Sequence, residues 1–213
     1  APKFKMDIAA AVDLESPSTY LAKDTMVYYE NDNLWSPGEV IQGYPDRNKD
    51  AAGLLVDTAD MNGDRKNDII AVVSGQTASV TDYQLNLYLN DGEWTIIKIA
   101  DLTSEPTAMA IGNMDYDNDL DVALGYSDGR VVVYRNDGVW TPEAQYLAPS
   151  PQKVTKLIWA DLDTDISTNV EGRSLDLVVG RSSGGIDIYK NTNGVFINPY
   201  FESFDTIYEL VQD

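Results

Sequence analysis

The segment Asn113-Met-Asp-Tyr-Asp-Asn-Asp-Leu-Asp121 runs directly into the apolar segment Val122-Ala-Leu-Gly125. Acidic or amide side chains stand at its positions 1, 3, 5 and 9. A related segment, Asp60-Met-Asn-Gly-Asp-Arg-Lys-Asn-Asp68, runs into Ile69-Ile-Ala-Val-Val73. Short apolar runs bounded by turn-forming residues are typical of buried strands. We name residues 60–68 the first acidic loop and residues 113–121 the second, and we expect a strand after each.

A third acidic loop spans residues 161–176. It begins Asp161-Leu-Asp-Thr-Asp165 and, after an insertion, ends at Asp176 before Leu177-Val-Val-Gly180. The chain opens with a copy that has lost its loop, Asp7-Ile-Ala-Ala-Ala-Val12. These copies recur at the interval typical of β-propeller blades rather than of helical repeats.

Downstream of each loop, a Tyr-x-Asn segment leads into a turn. The aligned segments are Tyr29–Trp35, Tyr88–Trp94, Tyr134–Trp140 and Tyr189–Phe196, of which the last has one extra residue. Asn-Gly and Asp-Gly dipeptides accept positive φ and close tight hairpins. We expect the final aromatic residue to start the next strand. Because the aromatic residues recur once per copy, we expect them to pack in the core rather than to stack on sugars.

A complete unit therefore consists of strand A, acidic loop, strand B, hairpin, strand C, turn and strand D. Strand A is visible as Ala108–Gly112 and as Lys156–Ala160, and Thr206–Asp213 has the pattern of a strand A without partners. The pattern predicts an all-β fold: one β-propeller domain over residues 1–213, with four blades of four antiparallel strands. The approximate blades are 7–44 plus 206–213, 53–102, 106–148 and 154–205.

The predicted ring closes when the C-terminal strand joins the N-terminal blade, which removes exposed sheet edges. The same strand count permits a rival in which residues 206–212 complete the blade of a neighbouring chain and so generate an assembly. The sequence leaves both open.

The spacing of oxygens in the acidic loops predicts calcium sites, one per complete loop and three in all. Alternate residues of a tight loop point inward, and a backbone carbonyl at position 7, from Lys66 or Asp119, can complete a shell of oxygen ligands. The candidate metal-binding residues are Asp60, Asn62, Asp64, Lys66 and Asp68; Asn113, Asp115, Asp117, Asp119 and Asp121; and Asp161, Asp163, Asp165 and Asp176. An EF-hand is excluded, because it requires Gly at position 6 and Glu at position 12, where the first loop has Arg65 and Ala71.

The two motifs Asp-x-Asn-Gly-Asp-x-x-x-Asp-Ile-Ile-Ala-Val and Asn-x-Asp-x-Asp-x-Asp-Leu-Asp-Val-Ala-Leu-Gly resemble FG-GAP/VCBS-type β-propeller repeats. Such calcium-loop blades occur in integrin α-chain heads and in secreted bacterial proteins. The resemblance extends from Asp7 to Asp213 and implies calcium bound between strands A and B. The family's usual Gly at loop position 6 is absent, so residues with a Cβ must make that turn. A fourth site would join Asp213 to Asp7, where we expect no metal because Lys3 and Lys5 stand nearby.

The composition excludes several classes of function. Of 213 residues, 35 are Asp or Glu and 15 are Lys or Arg, which gives a formal net charge of −20, and the chain has no His and no Cys. Triads that need His, thiolate nucleophiles and His-ligated zinc are therefore excluded. The negative charge disfavours nucleic acid as a partner. No apolar run approaches the ~18 residues of a membrane span, so we expect no membrane insertion.

We therefore expect a non-catalytic, secreted, extracellular or cell-surface calcium-binding module that serves binding, adhesion or assembly. Its expected partner is an extracellular protein or a glycan, with self-assembly as a further possibility. The alternative is a carbohydrate-binding or polysaccharide-processing propeller, since pairs of carboxylates can hydrolyse glycosidic bonds.

Overall fold

The computed structural model describes residues 8–11, 26–29, 40–41, 50–76, 81–115, 117–138, 144–147, 151–162, 174–192, 194–196 and 200–202. Within these ranges the chain forms antiparallel sheets and contains no helix. The all-β prediction is therefore confirmed. The chain divides into two compact units, residues 1–104 and residues 105–213.

The described residues of the first unit form two sheets. A three-stranded sheet has the order β1-β2-β3, with β1 Ile8–Ala11, β2 Met26–Tyr29 and β3 Val40–Ile41. A four-stranded sheet has the order β4-β5-β6-β7, with β4 Asp50–Ala59, β5 Asp68–Gln76, β6 Thr81–Leu89 and β7 Thr95–Leu102. The prediction that the first copy begins without strand A stays a prediction, because residues 1–7 lie outside the described residues.

One face of the four-stranded sheet forms a compact core. Alternate residues of β5, Ile69, Ala71 and Val73, pack with Tyr88 of β6, and all four are buried. Trp94 packs against this cluster while partly exposed. The recurring Tyr and Trp of this copy therefore contribute to the core, as the repeat pattern predicts.

The second unit contains two four-stranded sheets and a short hairpin. The first sheet has the order β11-β10-β9-β8, with β8 Pro106–Gly112, β9 Asp121–Tyr126, β10 Val131–Tyr134 and β11 Ala144–Leu147. The next strands are β12 Val154–Ala160, β13 Asp176–Arg181, β14 Ile186–Tyr189, β15 Asn191–Thr192, β16 Val195–Phe196 and β17 Tyr200–Glu202. The second sheet has the order β12-β13-β14-β17, and β15 pairs with β16.

The position of Phe196 differs from the prediction. This residue does not start the outer strand, which is β17, but lies in β16 opposite Asn191. The extra residue of this copy lengthens the turn, so Thr192 and Val195 pair as a separate hairpin around Gly194, whose φ is 81°.

The two four-stranded sheets of the second unit share one core. Thr107 Oγ1 in β8 donates to the carbonyl of Val154 in β12 at 2.7 Å, and Trp159 Nε1 donates to the carbonyl of Ala110 at 3.4 Å. A Cβ on Gly112 would lie 2.4 Å from Cγ of Trp159. The two sheets therefore approach closely at Gly112, where a side chain would collide with Trp159.

A buried arginine also joins these sheets. Arg181 in β13 pairs with Asp187 at 2.6 Å, and its Nη1 donates to the carbonyl of Gly129 at 2.8 Å in the turn between β9 and β10. Its side chain is 2% exposed. A buried charge of this kind is tolerated because a partner charge and hydrogen bonds surround it.

Closure of the sheets into a ring stays a prediction. None of the described sheets closes on itself, and residues 206–213, predicted to complete the first blade, lie outside the described residues. The single domain over residues 1–213 likewise stays a prediction.

The substitution Gly112→Ala tests the close approach of Trp159. We expect the free energy of unfolding to fall by roughly 1–3 kcal/mol, the usual effect of overpacking a core, as measured by urea denaturation. Gly185→Ala is the matched control, because a Cβ there would meet only Ser183 Oγ at 3.7 Å. Equal effects of the two substitutions would contradict the packing.

Candidate metal centre

Each acidic loop ends in an aspartate that is the first residue of strand B. These residues are Asp68 in β5, Asp121 in β9 and Asp176 in β13, and each has a relative exposure of 0%. Aspartate is rarely buried to this degree unless its oxygens have partners. Their hydrogen bonds therefore indicate their role.

The same two hydrogen bonds form at all three aspartates. One carboxylate oxygen accepts the N–H of the second loop residue, and the other accepts the N–H of the asparagine that follows strand C. The donors are Met61 at 3.0 Å and Asn90 at 2.8 Å for Asp68, Met114 at 2.6 Å and Asn136 at 2.9 Å for Asp121, and Leu162 at 3.1 Å and Asn191 at 2.9 Å for Asp176.

The asparagine completes the contact with its side chain. Its Nδ2 donates to the carbonyl of the residue before the aspartate. The pairs are Asn90 to Asn67 at 3.3 Å, Asn136 to Leu120 at 3.4 Å and Asn191 to Leu175 at 3.0 Å. We name this arrangement the Asp–Asn latch. From the sequence these asparagines are predicted only to form turns, although each stands two residues after a repeated Tyr.

In the first acidic loop, the predicted ligand side chains point toward the loop backbone. The N–H of Asp64 donates to both Asp60 Oδ1 at 3.1 Å and Asn62 Oδ1 at 3.0 Å. Asp60 Oδ2 accepts from the N–H of Arg65 at 2.7 Å. One N–H is therefore shared by side-chain oxygens of Asp60 and Asn62, and their role as metal ligands stays a prediction. Lys66 donates from Nζ to the carbonyl of Asn90 at 3.1 Å.

Loop position 6 has the left-handed conformation that usually requires glycine. The φ angles are 70° at Arg65 and 76° at Asn118. This confirms the expectation that residues with a Cβ make the turn. Asparagine tolerates this conformation better than arginine does.

In the second acidic loop, three carboxylates converge. One oxygen from each of Asp115, Asp117 and Asp137 lies within 4.8 Å of the others. Asp115 and Asp117 are predicted ligands, whereas Asp137 comes from the Asn-Asp-Gly turn after β10 and was missed. Its position beside the loop follows from the latch, because Asn136 holds the start of that turn against Asp121. We name these three residues the carboxylate cluster.

The carboxylate cluster combines burial with incomplete hydrogen bonding. The side chain of Asp115 is 4% exposed, and its Oδ1 has no hydrogen-bond partner. Arg135 contacts Asp115 Oδ2 through Nη2 and Asp137 Oδ1 through Nε, the latter at 2.8 Å. Asp117 Oδ1 accepts the N–H of Asp119 at 2.9 Å, which fixes the loop beside the cluster.

The local charge changes the ionisation of this loop. Burial, with the charge of Asp117 next, raises the pKa of Asp115, against the opposing effect of Arg135. Burial followed by the charges of Asp117 and Asp137 raises the pKa of Asp119. Burial raises the pKa of Asp121 to about 7, although its two N–H donors act in the opposite direction. A nearby cation would favour the ionised forms.

Only part of the third acidic loop is described. Asp161 is exposed, and Asp176 forms the latch. The predicted ligands Asp163 and Asp165 lie outside the described residues. Asn113 and Asp119, predicted in the second loop, are both partly exposed.

Comparison with protein families matches residues 113–165 to an FG-GAP-like repeat. The match runs from the second acidic loop through β9 to β12 and into the third loop. This part of the chain therefore carries an FG-GAP-type repeat, as the motifs indicate. A repeat of this type suggests a binding or adhesion module. Curated proteins provide no match to the chain, and the described residues contain no helix capable of crossing a membrane.

Asp121→Ala tests the Asp–Asn latch. We expect the free energy of unfolding in a calcium chelator to fall by roughly 2–5 kcal/mol, because two buried N–H groups lose their acceptor. Asp119→Ala is the control in the same loop, and we expect a change below about 0.5 kcal/mol. Urea denaturation measures both, and a small effect at Asp121 would contradict the latch.

The raised pKa of Asp121 predicts a pH-dependent stability in the absence of calcium. Between pH 4 and 7 the folded state holds a proton that the unfolded state has released. The associated stabilisation is complete below about pH 4 and is lost as the pH rises through about 7. We expect the free energy of unfolding to fall by roughly 2 kcal/mol from pH 5 to pH 8.

NMR titration of the aspartate carboxyl carbons in the chelated protein provides the direct measurement. One carboxyl should titrate near pH 7. Asp91 is the internal control: hydrogen bonds from Thr95 and then Glu93 lower its pKa to about 2. Titration of every aspartate below pH 5 would contradict the prediction for Asp121.

Proposed function

We propose that this protein is a non-catalytic, calcium-stabilised β-propeller that acts outside the cell as a binding, adhesion or assembly module. The observation that supports this function best is the carboxylate cluster in a loop that belongs to an FG-GAP-type repeat. The fold, the metal and the location are separate parts of the proposal, each with its own support.

The residues of the second loop fit a calcium ion chemically. Calcium prefers six to eight oxygen ligands, mainly carboxylates and carbonyls. Asp115, Asp117 and Asp137 supply three carboxylates, and the buried Oδ1 of Asp115 lacks a hydrogen-bond donor that would otherwise satisfy it. Asn113 and the carbonyl of Asp119 are the further proposed ligands. The first loop, with Asp60, Asn62, Asp64, Lys66 and Asp68, and the third loop, with Asp161, Asp163, Asp165 and Asp176, are proposed as two more sites.

The proposed role of the metal is structural. A bound calcium ion would neutralise carboxylates that repel one another, and its binding free energy would add to the stability of the folded chain. Asp68, Asp121 and Asp176 each use both oxygens on backbone N–H groups. In this proposal they hold the loop in shape, and any contact with the metal would use their remaining lone pairs.

The propeller rests on the repeated sheet and the close packing of consecutive sheets. The four-stranded sheets β4–β7, β8–β11 and β12–β14 with β17 follow the predicted unit. In the second unit, Thr107 and Trp159 join two of them. The proposed ring is completed by residues 206–213, with donation of this strand to another chain as the rival.

The proposed location and partners follow from the class of repeat. Modules of this class suggest an extracellular setting and a protein partner, and we include glycan and self-assembly as further possibilities. Tyr88, Tyr134 and Tyr189 are buried, so these repeated aromatic residues do not offer stacking surfaces for sugars.

Calcium removal tests the metal. At a free calcium concentration 100 times the Kd, each site adds about 2.7 kcal/mol to the free energy of unfolding. We therefore expect the melting temperature to rise between EGTA and millimolar calcium. An unchanged melting temperature would contradict calcium stabilisation.

A matched pair of substitutions assigns the effect to the second loop. Asp117→Asn removes one charge while its amide oxygen can still accept the N–H of Asp119, so the calcium-induced rise should shrink. Asp128→Asn removes one charge from the turn after β9, where the side chain accepts the N–H of Arg130 at 3.1 Å. The control should retain the full rise. Equal losses would indicate a general effect of charge.

A further inference from the structure

Arg135 lies in the carboxylate cluster although its positive charge prevents it from being a metal ligand. It lies between the last residue of β10 and Asn136 of the latch. Its guanidinium group contacts Asp115 and Asp137, two of the three carboxylates in the cluster. A positive side chain therefore already stands among the oxygens that would bind a cation.

The guanidinium group and a bound cation would repel each other if both contacted the same carboxylates. Both are positive, and at a separation of about 4 Å their repulsion is on the order of 4 kcal/mol for unit charges near a protein surface, and larger for a divalent ion. Without either, three carboxylates within 4.8 Å of one another would be uncompensated. The cluster is therefore most stable with one positive group, either the Arg135 guanidinium or a bound cation, in contact with its carboxylates.

The two partners of this ion pair differ in freedom. The side chain of Asp115 is 4% exposed and cannot turn to solvent, whereas the side chain of Arg135 is 35% exposed. Long arginine side chains keep their charged group hydrated while the stem packs on the protein. When a cation binds, Arg135 is therefore the group that can move away.

The first acidic loop has no charged residue in the position of Arg135. The corresponding residue before the latch asparagine is Leu89 in the first unit, which carries no charge. Asp91, the counterpart of Asp137, caps its own turn by accepting the N–H of Glu93 at 3.0 Å.

We propose that Arg135 is a built-in counter-ion that competes with calcium for the carboxylate cluster. It neutralises Asp115 and Asp137 when calcium is scarce, and it leaves them when calcium binds. The second loop consequently binds calcium more weakly than its carboxylates alone would allow, and it remains folded without the metal. This proposal rests on the calcium binding proposed above.

The test is a calorimetric titration of calcium chloride into the full chain and two variants. Arg135→Gln removes the charge from the cluster. Arg130→Gln is the matched control, because Arg130 pairs with Asp128 at 2.6 Å outside the cluster and its substitution gives the same change in net charge. We expect the Kd of one site to fall at least about fivefold in Arg135→Gln, the lower end of typical coupling between two ligands, and to change little in Arg130→Gln.

Two further measurements test whether the gain in calcium affinity arises at the second loop. Adding Asp117→Asn to Arg135→Gln should abolish it, because the affected site is the second loop. In EGTA, Arg135→Gln should melt below the wild-type protein, and saturating calcium should remove that difference. If the second loop bound calcium only in Arg135→Gln, the guanidinium group would exclude calcium completely in the wild-type protein, which would also support the competition.

The outcomes separate this inference from the proposed function. If the wild-type protein binds calcium and Arg135→Gln leaves every Kd unchanged, the counter-ion role is wrong while calcium binding stands. Equal gains in both arginine variants would likewise overturn it in favour of a general charge effect. If neither the wild-type protein nor Arg135→Gln binds calcium, the proposed function itself fails and the inference with it.

Discussion

A buried carboxylate that accepts two backbone N–H groups organises each described repeat. The aspartate at the start of strand B connects the acidic loop to the turn after strand C, two segments that are far apart along the chain. Each of these N–H groups would be costly to bury without an acceptor. The asparagine side chain also donates to the carbonyl of the residue before the aspartate. The two segments are therefore joined by backbone and side-chain hydrogen bonds, which hold the loop against its sheet.

The latch has a chemical consequence for the loop. It brings the Asn-Asp-Gly turn beside the acidic segment, so Asp137 and Arg135 arrive at a place where Asp115 and Asp117 already stand. Burial then raises the pKa values of Asp115 and Asp121. In a chain with a net charge of −20, Arg135 is the positive side chain that contacts two of these carboxylates, Asp115 and Asp137.

Much of the fold could be predicted from the repeat pattern, because strands are marked by short apolar runs next to turn-forming residues. The predicted A strands Ala108–Gly112 and Lys156–Ala160 lie within β8 and β12, where apolar residues run directly into turn-forming residues. The pairing of Phe196 with Asn191 could not be predicted from the sequence. One extra residue in the turn changes which residues pair, and the composition of the turn does not reveal that change. Ligand spacing within one loop was visible, and the ligand sets themselves stay predictions.

The sequence by itself determined the all-β class, the repeating unit, the places of the acidic loops and the fact that residues with a Cβ, not glycine, occupy loop position 6. These features depend on neighbours along the chain, whose preferences are local. Only the tertiary structure showed that Asp121 is held by N–H groups from two segments, and that Asp137 and Arg135 join Asp115. Those contacts join residues of separate segments, and their geometry depends on how strands pair, which no local pattern contains.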